Sequence, residues 1–333
     1  MDTYHSILIH KLLDDGIIGS HLKHAFRKQF YPVVVGGTNV VRCAALSPKA
    51  RRIVGSVYSN DIDIKFVILK HIDNNEDPIV AKAHDVRMQF IDSLLHDIRV
   101  TNAIQQITSK HPGLQIKFAV TDMSDVKITP DMSPEKQQAI DMLLRHIVVS
   151  IQAQYYMNGV LVRKAALLDT ALYSSFAEDM FSNYQTFFDH PLRHPIPFFM
   201  ASDNTPYATC GWSYYDTVRM LMLSSERYKS FPNGTYDKRF HYMKFLKYLA
   251  KFIVFYVQIN RLKDEHKFKE LKHLYKQAKT VLSTNDIKDK TITDLTPAQK
   301  KLVHKISQQL KQKTNLTSLE KALLPPKTKK QLA

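Results

Sequence analysis

The chain has 333 residues, a formal net charge of +16 and 44% hydrophobic residues, so it can bury sizeable cores and suits two domains better than one. It holds no run of about 18 uncharged apolar residues and no secretory cleavage motif near its start, so we expect neither a membrane-spanning helix nor a secretory signal. The two cysteines, Cys43 and Cys210, lack the partner spacing of a zinc site, and we expect them to be reduced thiols in a cytosolic protein.

The positive charge is concentrated in the last third of the chain. Residues 241–333 hold 21 Lys or Arg against 7 Asp or Glu, a net charge of +14, which leaves +2 of the total +16 for residues 1–240. Lysines that contact phosphates give sequence-tolerant, salt-sensitive binding to a polyanion, although lysine-rich helices can also be plain solvated surfaces. The charge distribution therefore fits a polyanionic partner, with solvated lysine-rich helices as the alternative.

The first predicted elements are a helix over residues 6–29, a short buried strand at Val33–Val35 and a helix that follows it over TNVVRCAAL. Gly36 and Gly37 then lie at the N-terminus of the second helix. Bare backbone amides and the positive helix end attract phosphate there, and glycine lets a triphosphate approach the chain closely. The Thr38 hydroxyl can donate to a phosphate oxygen. A plain turn from strand to helix would use the same glycines.

The next predicted strand, residues 61–69, begins with two aspartates after a basic connection that includes SPKARR. Because successive side chains of a strand point to opposite faces, Asp61 and Asp63 share one face while Ile62 and Ile64 enter the core. Hard divalent cations prefer oxygen ligands, and two such cations can stabilise the attacking and leaving oxygens of a phosphoryl displacement. The glycine turn and the acid pair together predict metal-dependent nucleotidyl transfer.

The following segments are predicted to be further helices and strands. In chain order they are a helix over residues 79–109 that stops at His-Pro-Gly, a strand over residues 114–122, a helix that starts at Ser133-Pro134 and runs towards Ile151, a hairpin turn at Asn158-Gly159 and a strand over residues 160–175. Lys-rich helices follow residue 261.

The glycine turn followed by Asp61-Ile62-Asp63 resembles the signature of the nucleotidyltransferase superfamily, in which Gly-Gly or Gly-Ser precedes Asp-x-Asp or Asp-x-Glu on the next strand. The separation of 24 residues between Gly37 and Asp61 is longer than in many members. Two later segments, PYATCGWSYYDTVRMLML at residues 206–223 and HYMKFLKYLAKF at residues 241–252, resemble the poly(A) polymerase catalytic subunits of large cytoplasmic DNA viruses.

The resemblance implies an α+β fold, with a polymerase-beta-like mixed sheet and helices followed by a mainly helical C-terminal region. We accordingly expect four parts. They are an N-terminal helical segment at residues 1–30, a nucleotidyltransferase catalytic domain at 31–185, a mainly helical basic domain at 186–320 and a mobile tail at 321–333.

The same resemblance implies a third carboxylate on a later strand, which would complete a metal site and help to deprotonate an attacking 3′-hydroxyl. Asp169 is the first choice, because an acid among apolar strand residues is costly to bury unless it is paired or bound to metal. Asp122 is the alternative, and a site that uses neither is the third possibility. The expected metal ligands are Asp61, Asp63 and Asp169 for Mg²⁺ or Mn²⁺, and the expected ATP-binding residues are Gly36, Gly37, Thr38, Ser59 and Lys65.

The implied activity is template-independent polyadenylation of mRNA, in which AMP from ATP is added to RNA 3′ ends by a two-metal mechanism. The implied partners are RNA, held by the basic C-terminal region, and a second copy or a partner subunit, in the cytoplasm, a viral factory or the virion. Trp212, Tyr214 and Tyr215 are expected either to stack a base or to pack in a core. Two alternatives stay open, namely the same chemistry with a tRNA or protein acceptor, and a catalytically inactive RNA-binding subunit.

Overall fold

The computed structural model describes residues 2–45, 61–69, 78–122, 149–174 and 196–217, together with scattered helical positions between residues 248 and 305. The chain divides into two compact units. The first contains Met1–Asn39, Tyr58–Ser182 and Leu192–Thr209, and the second contains Val40–Val57, Asn183–Pro191 and Cys210–Ala333. Residues 1–30 therefore belong to the same unit as the strands described next, and the domain boundaries expected from the sequence stay predictions.

In the described part of the chain, the first unit contains a seven-stranded mixed sheet. Its strands are β1 (Phe30–Val35), β2 (Ile62–Ile68), β3 (Leu114–Asp122), β4 (Val149–Met157), β5 (Val160–Ser174), β6 (Phe198–Met200) and β7 (Pro206–Ala208). Their order across the sheet is β3-β4-β5-β2-β1-β7-β6. The pairs β2–β5 and β1–β7 are parallel, and the other neighbouring pairs are antiparallel. Strand β2 therefore lies in the middle of the sheet.

Helices α1 to α5 accompany the strands in chain order. They are α1 (Asp2–Asp14), α2 (Ile17–Leu22), α3 (Gly36–Ala45), α4 (Pro78–Leu95) and α5 (Ile98–Thr108), and a short 3₁₀ helix, Lys23–Ala25, follows α2. Helix α3 begins directly at the end of β1, so the expected position of Gly36 and Gly37 at a helix N-terminus is confirmed.

One face of the sheet packs on the helices in a single hydrophobic core. The core-facing residues of β2 are Ile62, Ile64, Phe66 and Ile68, each at most 1% exposed. Burying side chains of this size stabilises the fold by about 1.5–3 kcal/mol each. A shift of β2 by one residue would turn all four out of the core, so their burial determines that Asp61 and Asp63 lie on the opposite face.

Two predicted helices are interrupted in the structure, so their continuous spans are wrong. Gly16, with φ +65°, separates α1 from α2 within the span predicted as residues 6–29. Asp97 separates α4 from α5, because its carboxylate accepts a hydrogen bond from the Arg99 amide at 2.8 Å and so caps α5. Hydrogen bonds from the Arg99 side chain are the main reason that the pKa of Asp97 lies well below its usual range.

The structure confirms the strands predicted at residues 33–35, 61–69, 114–122 and 160–175. The predicted and observed ends differ by at most one residue, except that β1 already starts at Phe30. The hairpin turn is also confirmed, with φ of +51° at Asn158 and +81° at Gly159. The helix predicted from Ser133 is wrong at its C-terminal end, because residues 149–151 begin strand β4. The rest of this predicted helix lies outside the described residues. The first unit is thus of mixed α and β type, as expected.

The aromatic cluster of the sequence lies in the second unit, where residues 210–217 are helical. Trp212, Tyr214 and Tyr215 are at most 5% exposed, and Tyr214 stacks on Phe252 with ring centroids 5.8 Å apart. Their burial favours packing over base stacking. Cys210 is disulfide-bonded, so the expectation of a reduced thiol at this position is wrong. Within the described ranges, the structure contains no helix with the length and apolar composition needed to cross a membrane.

Candidate metal centre

Three carboxylates meet where β2 begins. Asp61 immediately precedes this strand and Asp63 is its second residue, so the two side chains share the face opposite the core. Strand β5 runs parallel to β2, and Asp169 is the register partner of Asp63. Register partners on neighbouring strands project to the same side of a sheet, so Asp169 joins the acid pair.

Oxygen atoms of Asp61, Asp63 and Asp169 all lie within 4.8 Å of one another, and all three residues are half-buried. This spacing is close enough for one metal ion to contact all three groups. A set of carboxylate oxygens fits hard divalent cations, whereas softer metals are typically held by sulfur or nitrogen. The residues present therefore fit a divalent cation of the hard class.

Without a cation, the three carboxylates repel one another when they are ionised. At 4.8 Å and an effective dielectric constant of about 20, Coulomb's law gives roughly 3 kcal/mol for each pair. The fold tolerates this repulsion because the core on the other face of β2 determines the strand position. A divalent cation among the three groups would replace the repulsion with attraction.

Gly36 makes room for the carboxylate of Asp63. It has φ +69°, and a Cβ added to it would lie 1.7 Å from Oδ2 of Asp63. The close approach follows from the register, because Val35, the last residue of β1, pairs with Asp63. Glycine is thus required here for two physical reasons, the left-handed backbone and the neighbouring carboxylate. The approach of a phosphate to this residue stays a separate prediction.

The first turn of α3 is hydrogen-bonded to neighbouring strands. Thr38 Oγ1 donates to the backbone oxygen of Asp61 at 2.8 Å, and Asn39 Nδ2 donates to the backbone oxygen of Ala208 at 2.8 Å. Both side chains are buried. The Thr38 hydroxyl therefore holds the backbone of Asp61 in place, and its expected contact with a phosphate stays a prediction. The first amides of a helix have no intrahelical acceptor, so those of α3 are the groups suited to bind phosphate.

Ser150 holds the third carboxylate. It lies on β4 as the register partner of Asp169, and its Oγ donates to Oδ1 of Asp169 at 2.6 Å. A hydrogen bond to an ionised carboxylate is short and roughly twice as strong as a neutral one. This contact sets the orientation of Asp169 relative to the other two acids.

The other residues predicted for the site are placed as follows. Lys65 is half-buried on the same face of β2 as the acids, two residues beyond Asp63. Ser59 lies outside the described residues. Asp122 is the last residue of β3, and β4 lies between β3 and β5. The structure therefore brings Asp169 to the acid pair, as the first choice from the sequence expects.

Two residues of the site are missed by sequence reasoning. Ser150 is hidden because residues up to Ile151 are predicted as helix, although the alternation of VSIQAQYY before the hairpin turn is the signal of a strand. Asn39 directly follows the glycine turn and is completely buried. A polar residue within an apolar helical stretch is the available signal there, because a buried amide requires hydrogen-bond partners.

Neither protein-family models nor curated proteins match this sequence. Function must therefore be argued from the site itself, from its geometry and the chemistry of its side chains. The features of the site that bear on function are the three carboxylates, the glycine turn and the side chains that hold them.

Proposed function

We propose that this protein is a metal-dependent nucleotidyltransferase that adds AMP from ATP to RNA 3′ ends, a template-independent poly(A) polymerase. The observation that carries the proposal is the convergence of Asp61, Asp63 and Asp169 within 4.8 Å, beside a helix that starts at Gly36. Carboxylates that hold cations and helix amides that bind phosphates are the two requirements of phosphoryl transfer from a nucleoside triphosphate.

A nucleotidyltransferase fold is part of the proposal. It is supported by the order of the elements along the chain, in which a strand, a glycine turn and a helix are followed by a strand that starts with Asp-x-Asp. The third acid lies on a strand that is parallel to this second strand and pairs with it in register. The mixed sheet thus brings the three acids together at two central strands, with Asp63 on β2, Asp169 on β5 and Asp61 just before β2.

The roles of the chain's own residues follow from their positions. Mg²⁺ or Mn²⁺, when bound, would lower the pKa of the acceptor 3′-hydroxyl and neutralise the charge on the leaving pyrophosphate. Asp61 and Asp63 would hold the cations from β2, and Asp169 would hold them from β5. Ser150 orients Asp169 and Thr38 holds the backbone of Asp61, so both keep the ligands in place. The first amides of α3 would bind the phosphate oxygens of ATP.

RNA is proposed as the acceptor for two reasons. Residues 241–333 carry a net charge of +14, which suits a polyanion. Residues 206–252 contain the two segments that resemble viral poly(A) polymerases. With an RNA primer as acceptor, the acids serve the transfer to the 3′ end and the basic region serves the binding of the phosphates.

The proposal is tested by incubating the full-length protein with labelled ATP, Mg²⁺ or Mn²⁺ and one of three acceptors, an oligoadenylate, a tRNA or a protein. We expect cation-dependent extension of the oligoadenylate, which Asp61→Asn or Asp63→Asn abolishes while RNA binding survives. Asp92→Asn is the matched control, because Asp92 lies on α4 with a side chain 76% exposed. Transfer to tRNA or protein alone would reassign the acceptor. If incorporation with wild type is no higher than with both site variants, it does not come from this site, and a catalytically inactive RNA-binding subunit is favoured.

A further inference from the structure

The sheet face that carries the three carboxylates continues across β5 and β4 to the edge strand β3. On β4, the positions that share a face with Ser150 are Gln152, Gln154 and Tyr156, because alternate residues of a strand point the same way. All three are partly accessible. A row of polar side chains thus leads away from the carboxylates along β4.

Two lysines lie on either side of this row. Gln154 is the register partner of Lys164 on β5 and of Lys117 on β3, and both lysines are exposed. Lys117 Nζ lies 5.1 Å from the ring centroid of Tyr156, whose hydroxyl donates to Oε1 of Gln154 at 2.9 Å. We call these five residues, Lys117, Gln152, Gln154, Tyr156 and Lys164, the polar track.

The polar track is the solvent side of these strands. On their other side, Ile151, Ala153 and Tyr155 are at most 1% exposed and belong to the hydrophobic core. Over the middle of the sheet, the carboxylate face itself is covered, since Val33 of β1 and Val67 of β2 are completely buried. The face becomes accessible on the β3 side of the carboxylates.

We propose that the polar track binds the single-stranded RNA acceptor on its way to the carboxylates, an inference that rests on the proposed function. The track positions carry two positive charges and no negative charge, which complements a phosphate backbone. An aromatic ring beside cations is the combination that holds single strands without sequence preference, and the two glutamines can hydrogen-bond bases or sugars. Lys164 precedes Asp169 by five residues, and the register shift between Ile151 and Gln152 returns it to the face of Asp169. The distance is roughly 15 Å along the strand, which is a span of several nucleotides.

The charge of the polar track is tested by replacing Lys117 and Lys164 together with glutamine in the full-length protein. Binding of a fluorescent oligoadenylate is measured by anisotropy over a range of salt concentrations. We expect an affinity about tenfold lower. The slope of the logarithm of the binding constant against the logarithm of the salt concentration should become shallower by about 1.4, because each of the two lost phosphate contacts on a single strand contributes about 0.7. Lys82→Gln with Lys110→Gln is the matched control, because both lysines are exposed outside the sheet and the change in net charge is the same.

The ring of Tyr156 is tested separately. Tyr156→Leu removes the aromatic face and should weaken binding about tenfold, whereas Tyr156→Phe keeps the ring and should bind within about twofold of wild type. In transfer assays, the lysine double variant should raise the KM for the oligoadenylate and leave kcat and the KM for ATP unchanged, because the track lies apart from the reacting groups.

The outcomes separate this inference from the proposed function. If the lysine double variant binds as its control does, the polar track does not hold RNA, even when transfer is observed. If the wild-type protein transfers no nucleotide but the double variant loses affinity and salt dependence that the control keeps, the track is supported and the proposed function is wrong. Equal binding by Tyr156→Leu and Tyr156→Phe would overturn the stacking role of the ring.

Discussion

Replacing Asp63 with asparagine should make the metal-free protein more stable and also inactive. Asparagine has nearly the same shape as aspartate, so the close contact with Gly36 is kept. The change removes two of the three repulsions among the carboxylates, each roughly 3 kcal/mol at 4.8 Å and an effective dielectric constant of about 20. Because the groups are half-buried and can relax towards water, we expect a net gain of about 1–2 kcal/mol rather than the full sum.

Thermal unfolding in EDTA and in Mg²⁺ measures this effect. A gain of about 1 kcal/mol raises the Tm of a unit of this size by roughly 2–4 °C in EDTA. In wild type, a cation at about 100 times its Kd adds about 2.7 kcal/mol, and Asp63→Asn should lose most of this stabilisation. Transfer should fall at least about 10²-fold, because the metal site supplies several kcal/mol to the transition state. Asp92→Asn should show none of these changes.

Two outcomes would contradict this prediction. A lower Tm of Asp63→Asn in EDTA would mean that the surroundings of Asp63 stabilise its charge more than the other two acids destabilise it. A full response of the variant to Mg²⁺ would mean that the cation binds elsewhere. Either result would remove the physical basis for a metal centre at these three residues.

Three further variants test the parts of the site and of the fold. Gly36→Ala should abolish transfer and cost about 1–3 kcal/mol in urea unfolding, because the residue has φ +69° and its new Cβ would lie 1.7 Å from a carboxylate oxygen. Ser150→Ala should raise the Mg²⁺ concentration for half-maximal transfer about tenfold, because Asp169 loses its 2.6 Å hydrogen bond. Ser150→Thr keeps a hydroxyl, so its Mg²⁺ requirement should lie between those of wild type and Ser150→Ala. Asp97→Asn keeps a capping side chain but loses the charge bonded to Arg99, so urea unfolding should show about 1 kcal/mol lower stability at neutral pH. Since Arg99 lowers the folded-state pKa of Asp97, this difference should be complete above the unfolded pKa of about 3.9 and shrink as the pH falls below it.

Each of these variants has a contradicting outcome. Wild-type transfer by Gly36→Ala would show that the α3 start tolerates a side chain and that the turn does not serve the acids. An unchanged Mg²⁺ requirement of Ser150→Ala would show that the hydroxyl does not position Asp169. A stability difference for Asp97→Asn that persists undiminished well below pH 3.9 would show that charge is not its cause.

The strands of the site could be predicted from the sequence because their signals are local. The alternation of DIDIKFVI and the run VVV before two glycines each identify an element without reference to the rest of the chain. The interruption at Asp97 was harder to predict, since apolar periodicity continues on both sides of it. The sequence predicts the hairpin turn that ends β4 but not the strand itself, because the helix predicted from Ser133 extends to Ile151. Ser150 lies within that predicted helix, so its place in the site is not predicted either.

Local residue patterns are sufficient to place Asp61 and Asp63 on one face of a strand and to start the preceding helix at a glycine turn, because alternation and turn chemistry depend on neighbouring residues. The three-dimensional fold was needed to show that β5 lies parallel to β2 in the register that sets Asp169 beside Asp63, with Ser150 donating to Asp169 from β4. Pairing between strands so distant in the chain depends on how the whole core packs, and no local pattern contains that information.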